Sequence, residues 1–220
     1  MPSIRRHFLE ELNKLHENLL RMGILVEESI HKSVSALKSQ NRELAENIIQ
    51  DDENINDAET EILDHCIKLL ATQQPVAGDL RTIVTAIKVA TQLERVGDHS
   101  VHIAKSVCKL SDEPFIRKLT DTSRMGEICQ AMIRDVLTAL INNNGSYAQE
   151  VARRDDEVDK LYYKITRELV AFMLEENTRI NQGLELLFIA RYLERIGDHV
   201  TNISELVVYN SSGKHVELNR

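Results

Sequence analysis

The residues best placed to do chemistry in this chain are carboxylates that come in pairs. Glu94 and Asp98 stand four apart, as do Glu194 and Asp198. Each pair sits inside a heptapeptide, Leu93-Glu94-Arg95-Val96-Gly97-Asp98-His99, that returns after 100 positions as Leu193-Glu194-Arg195-Ile196-Gly197-Asp198-His199. Four residues make about one helical turn, so each pair presents two carboxylates on one face. Like charges at that spacing cost a helix ~0.2–0.5 kcal/mol, and a bound cation is the simplest compensation. A second acidic strip is also duplicated: Asp155 and Asp159 match Asp52 and Asn56 at an offset of 103. If neighbouring antiparallel helices bring the strips together, four oxygen-bearing side chains face one another in each repeat. Such a set suits Mg²⁺, Mn²⁺ or iron better than a soft metal, and bridging carboxylates could hold more than one ion.

The residues around the strips are read in the same way. Gly97 and Gly197 each cost a helix interior ~1 kcal/mol against Ala, so a close approach by another helix or by an ion-bound ligand is expected there. His102 and Asn202 lie one turn beyond Asp98 and Asp198 and are secondary ligand candidates. His99 and His199 point about 100° away from the aspartates, which fits an interhelix hydrogen bond better than ligation. Arg95 and Arg195 are expected to hold neighbouring carboxylates. Arg81 reads as a helix-start element, with Asp79 beside it favourably set against the helix dipole. The plainer alternative is that these acids are solvated faces of an acidic helical protein, with Asp52 and Asp155 facing water. Duplication of both strips, with a glycine inside each, favours the metal reading.

The elements that must carry these residues are helices. Ile189, Leu193, Ile196, Val200, Ile203 and Val207 alternate spacings of four and three, the pattern of a bundle seam. The first copy repeats it as Val89, Leu93, Val96, Ser100, Ile103 and Val107, with one polar lapse at Ser100. On this seam Glu194 and Asp198 lie ~140° and ~180° from the apolar centre, outside the core. Asp155 and Asp159 lie ~80° and ~120° from the centre of theirs. Breakers at 39–41, 73–78, 111–114, 142–145, 176–178 and 211–213 leave six long periodic segments. The expected fold is all-α: two tandem three-helix bundles, residues 1–110 and 111–220, related by a pseudo-twofold axis.

Composition supports this outline. Trp is absent, and Gly and Pro are few, which weighs against sandwiches and barrels. A net charge of −8 opposes a phosphate backbone, so nucleic acid is not an expected partner. Cys66, Cys108 and Cys129 are widely spaced and odd in number, and read as core thiols in a reducing compartment. The N-terminal residues lack the apolar run of a signal peptide, and no stretch nears ~18 uninterrupted apolar residues. A cytoplasmic protein is expected.

The tandem repeat, the strips at Glu94–Asp98 and Glu194–Asp198, the Gln74-Pro75 and Asp79-Leu80-Arg81 signals, and the pair Asp155–Asp159 resemble the PhoU family of phosphate-uptake regulators. The resemblance spans about residues 4 to 210, and Asn56 departs from the strict carboxylate pattern, implying a weaker or differently loaded first site. It implies a homodimeric cytoplasmic adaptor without catalysis that holds divalent or multinuclear metal, whether iron, manganese, magnesium or zinc. It further implies negative regulation of the phosphate-starvation response, between a phosphate ABC transporter and a phosphate-sensing histidine kinase at the membrane. The alternative is a carboxylate-bridged metalloenzyme on a helical bundle. Against it, only Glu28 and His31 show the Glu-x-x-His spacing such enzymes pair in their cores, and the strips are expected to face water. A phosphotransfer module carrying His99 or His199 is a third possibility, with nothing in the sequence to select either imidazole.

Overall fold

The chain folds at the expected breakers. In the computed structural model α1 runs Pro2–Ser39, α2 Arg42–Asp51, α3 Glu53–Gln73, α4 Gly78–Leu110, α5 Thr120–Ile141, α6 Gly145–Ala152, α7 Asp155–Glu175 and α8 Ile180–Ser212, with a 3₁₀ turn at Asn177–Arg179. Residues 2–111, 114–116 and 118–219 are described. Asp112 and Glu113, in the break expected at 111–114, lie outside the described residues, as do Met1, Arg117 and Arg220.

Local chemistry accounts for most of the boundaries. Asn41 caps α2 by accepting the Leu44 amide at 2.9 Å, and its repeat equivalent Asn144 caps α6 by accepting the Tyr147 amide at 3.0 Å. Gln40 and Asn143 stand just before these caps with left-handed backbones, φ 51° and 47°. Six rods result, three per repeat, but the middle rod of each repeat is broken. α2 gives way to α3 at Asp52, where the Ile55 amide bonds the Asp52 carbonyl three residues back at 2.9 Å. α6 gives way to α7 at Arg153 and Arg154, where the Glu157 amide bonds the Arg154 carbonyl at 3.0 Å. These tighter 3₁₀-type bonds interrupt the α ladder.

Within each repeat the first and last rods pack on each other and on the middle one. α4 lies against α8 and α1 against α5, which joins the repeats. The seam positions of α4 and α8 are all buried, and the buried apolar residues of both repeats form one continuous cluster. Ser100, the polar lapse, is satisfied by donating to the Val96 carbonyl at 3.2 Å. Cys66 and Cys129 are buried core thiols, whereas Cys108 is only half-buried. All three are free thiols.

Candidate functional site

In the second repeat, α7 begins at Asp155, just past the break in the middle rod. This places the carboxylate against α8, and it is buried, with 7% of the residue exposed. Asp155 Oδ2 accepts a hydrogen bond from Thr201 at 3.2 Å, while Oδ1 is buried without a hydrogen-bond partner. Gly197 makes the approach possible: a Cβ there would collide with Asp155 Oδ1 and lie 3.6 Å from Val158. Asp159 follows one turn along α7 and is half-buried.

Across from them, α8 presents Glu194 and Asp198. Glu194 Oε1 accepts from Arg191 at 2.5 Å, and its Oε2 is buried, with Arg195 Nε at 3.8 Å and no hydrogen bond. Asp198 accepts from Arg195 on Oδ2 and from Asn219 on Oδ1, both at 3.2 Å. The charges on this strip lie close enough to oppose ionisation of Asp155, Asp159 and Glu194. Burial, reinforced by Asp159 and Asp198, pushes the Asp155 carboxyl up to about 7. Asp159 and Glu194 are raised too, by burial first and then by Asp198.

The first repeat builds the same arrangement with different neighbours. Asp52, at the break, and Glu94 are both raised by burial and then by Asp98. Gly97 again sits under the middle rod, with Ile55 at 3.0 Å and Asp52 Oδ1 at 3.6 Å from where a Cβ would be. Asn56 is exposed and donates its amide to Asp52 Oδ2 at 3.4 Å. Sequence reasoning missed Glu59, which adds to the repulsion on Glu94 and accepts from Thr91 at 2.9 Å. The signal was present, since positions 52, 56 and 59 follow i, i+4, i+7 spacing on one helix face. In the second repeat, Tyr162 and Arg191 stand where Glu59 and Thr91 are, with the guanidinium 5.7 Å from the ring centroid. The first strip therefore gathers Asp52, Glu59, Glu94 and Asp98 without the arginine that holds Glu194.

Both strips are half-buried, not exposed to water as helical angles alone implied, because the middle rod packs across them. The secondary candidates have hydrogen-bond partners outside the carboxylates. His102 is exposed, with Nδ1 2.7 Å from the Asp98 carbonyl and its ring stacked on Tyr192 at 5.0 Å. Asn202 donates to Gln92 at 3.2 Å. His99 and His199 stack on each other at 5.3 Å where α4 meets α8, and His199 Nδ1 lies 2.8 Å from Gln92 Oε1. Burial lowers both imidazoles to about 4, so this contact is neutral at neutral pH. Arg195 holds carboxylates as expected. Arg81 stands in the first turn of α4, with its guanidinium 6.0 Å from the Tyr209 ring centroid, and Asp79 pairs with Arg5 at 2.6 Å.

Among the described residues, no group of three or more His, Cys, Asp or Glu side chains is placed so that it could hold a metal ion as it stands. What the strips do provide is all-oxygen donors, with Asp155 Oδ1 and Glu194 Oε2 both buried without a hydrogen bond, the latter 3.8 Å from Arg195 Nε. That donor set fits a hard or borderline divalent ion. A family model described as the PhoU domain matches the chain twice, over residues 19–107 and again over 122–207. The chain belongs to the PhoU family. It is 44% identical, over 98% of its length and 99% of the relative's, to the phosphate-specific transport system accessory protein PhoU homolog of Clostridium acetobutylicum. The homolog of Aquifex aeolicus is 38% identical over 94% of each chain. The crystal structure of the phosphate transport system regulatory protein PhoU from Streptococcus pneumoniae superposes with a TM-score of 0.90 at 34% identity, covering 96% of this chain and 99% of that one. PhoU from Pseudomonas aeruginosa gives 0.90 at 36% identity, covering 94% and 100%. The PhoU family is one of accessory and regulatory proteins, not of enzymes. Among the described residues of this PhoU-family chain, no helix is long and apolar enough to cross a membrane.

Proposed function

We propose that this chain is a metal-binding adaptor of a phosphate transport system. It restrains the phosphate-starvation response by linking the membrane transporter to a phosphate-sensing histidine kinase, and it works as a cytoplasmic homodimer. The accessory and regulatory roles named for its relatives support the transport setting. The observation that carries the metal reading is Asp155, a buried carboxylate with an unpartnered oxygen and the charges of three further acids, Asp159, Asp198 and Glu194, acting on it. Without a cation, burial and like charge oppose ionisation of that group.

Asp155, Asp159, Glu194 and Asp198 would hold metal in the second repeat. Asp52, Glu94 and Asp98 would do so in the first, with Asn56 or Glu59 at its edge. Iron, manganese, magnesium or zinc bound there would supply positive charge that neutralises the strips and pins the middle rod to the last one. Each loaded strip then becomes a rigid face, and a partner that distinguishes loaded from empty faces reads metal occupancy as a change in affinity.

The test is elemental mass spectrometry on protein purified without chelator or affinity tag, comparing wild type with Asp98→Ala and Asp198→Ala. Retained metal should fall in both variants. Unchanged metal content in folded variants would remove the strips as sites. Equal capture of the reconstituted transporter by loaded and stripped protein would separate metal from docking.

A further inference from the structure

After α8 the chain reverses at Gly213, whose φ of +73° is the left-handed conformation that closes a helix. Residues 214–219 then run back over α8. The His215 ring stacks on Tyr209 with centroids 4.2 Å apart, and Val216 packs against the core. The Leu218 amide donates to Glu205 Oε1 at 2.7 Å, and the Asn219 side-chain amide donates to Asp198 Oδ1 at 3.2 Å. Beneath lies a cleft of about 430 Å³ between α4 and α8, lined by Ile87, Thr91, Gln92, Asn202 and Leu206 as well as by His215 and Val216 themselves.

The reach of this segment leaves little slack. From Asp198 to Gly213 the helix rises about 22 Å at 1.5 Å per residue. Six residues of extended chain cover about 20–22 Å. Asn219 therefore meets Asp198 only while the anchors at Tyr209 and Glu205 hold the segment straight.

The two repeats differ here. Asp198 has both oxygens occupied, by Arg195 and by Asn219. Among the described residues, no side chain donates a hydrogen bond to the Asp98 carboxylate, and beyond α4 the chain turns to the start of α8, where Gln182 accepts the Ile116 amide at 2.7 Å. Repetition alone does not account for a tail laid on one strip only. We propose that residues 214–219 form a strap that competes with cations for Asp198, so that the second strip loads only as the strap lifts, whereas the first strip has no such gate. This rests on the reading of the second strip as a cation site. A cation that approaches Asp198 Oδ1 from the side the Asn219 N–H occupies displaces that amide, and with it the straight path that seats Leu218 on Glu205.

The test uses Mn²⁺ as probe, in a Glu94→Gln, Asp98→Asn background that silences the first strip. Calorimetric titration compares the full chain, a chain ending at Gly213, and the full chain with Asn219→Ala; the single substitution covers the case in which truncation disturbs folding. Both altered chains should bind Mn²⁺ about tenfold tighter or more, the scale of one lost competing hydrogen bond to a charged group. Deuterium exchange at the Leu218 amide of the full chain should quicken when Mn²⁺ is added. Equal affinities across the three chains, or Leu218 protection that ignores bound Mn²⁺, overturn the strap and leave the metal site standing. Weaker binding by the altered chains also overturns it, because Asn219 would then be serving as a ligand. Failure of all three chains to bind Mn²⁺ removes the metal reading and the strap together.

Discussion

Asp155 couples the chemistry of its strip to the stability of the fold. Its carboxyl is raised from the ordinary 3.8 to about 7, so the folded state holds the proton more tightly than the unfolded chain does. The stabilisation this gives is fully present below about pH 4 and is lost as pH rises through about 7. In metal-free protein this one group should lower stability by on the order of 2–4 kcal/mol between pH 4 and pH 8. Asp52, Glu94, Asp159 and Glu194 act with the same sign. Asp155→Asn should flatten much of that slope, as followed by urea denaturation at pH 5 and pH 8; an unchanged slope would mean that Asp155 ionises as freely folded as unfolded. At this scale the sequence was legible wherever a signal was local. The duplicated Glu-Arg-x-Gly-Asp-His carries the strips, and helix spacing holds Glu59 on the face of Asp52. Thr201 on Asp155 and Asn219 on Asp198 depend on how separate segments come into register, which no spacing within one helix encodes.

The glycines of α4 and α8 decide how closely the middle rods approach. At Gly197 an added methyl meets the buried Asp155 Oδ1, on a carboxylate that Thr201 holds through its other oxygen; at Gly97 it meets Ile55 Cδ1 at 3.0 Å and Cγ2 at 3.2 Å, contacts that a small side-chain shift relieves. Gly197→Ala should therefore destabilise by about 1–3 kcal/mol even after the gain in helix propensity. Gly97→Ala should stay within about 1 kcal/mol of wild type. Urea midpoints at pH 7 compare the two directly, and equal costs would mean that Asp155 moves as easily as Ile55. The seams of α4 and α8 were readable because burial follows the three-and-four spacing, and the corners because Asn41, Asn144 and Gly213 carry the turn chemistry. The breaks at Asp52 and at Arg153 and Arg154 were not, since neither contains Pro or Gly. They arise where the middle rod must fit against the rods beside it.

For the molecule as a whole, the decisive feature is that both repeats bury their apolar residues in one cluster. Sequence duplication points to two bundles, yet their cores merge across the contact of α4 with α8, so neither repeat is closed by itself. Unfolding should be a single cooperative event. With no Trp in the chain, far-UV circular dichroism and tyrosine fluorescence are the probes to compare. Their urea curves should coincide, Tyr192 reporting from beside the α4 and α8 histidines. Two separated transitions would show the repeats to be independent domains. The broken middle rods carry a further consequence. The leading aspartate of each strip stands at or just past the break in its middle rod, and α2, with its ten residues, runs about 15 Å beyond that break, packed on α1 and α4. A rotation of about 5° at Asp52 carries the far end of that helix through about 1.3 Å, comparable with the shifts that repack interfaces. Events confined to a few carboxylate oxygens thus have a mechanical outlet at the α1–α2 corner of the molecule.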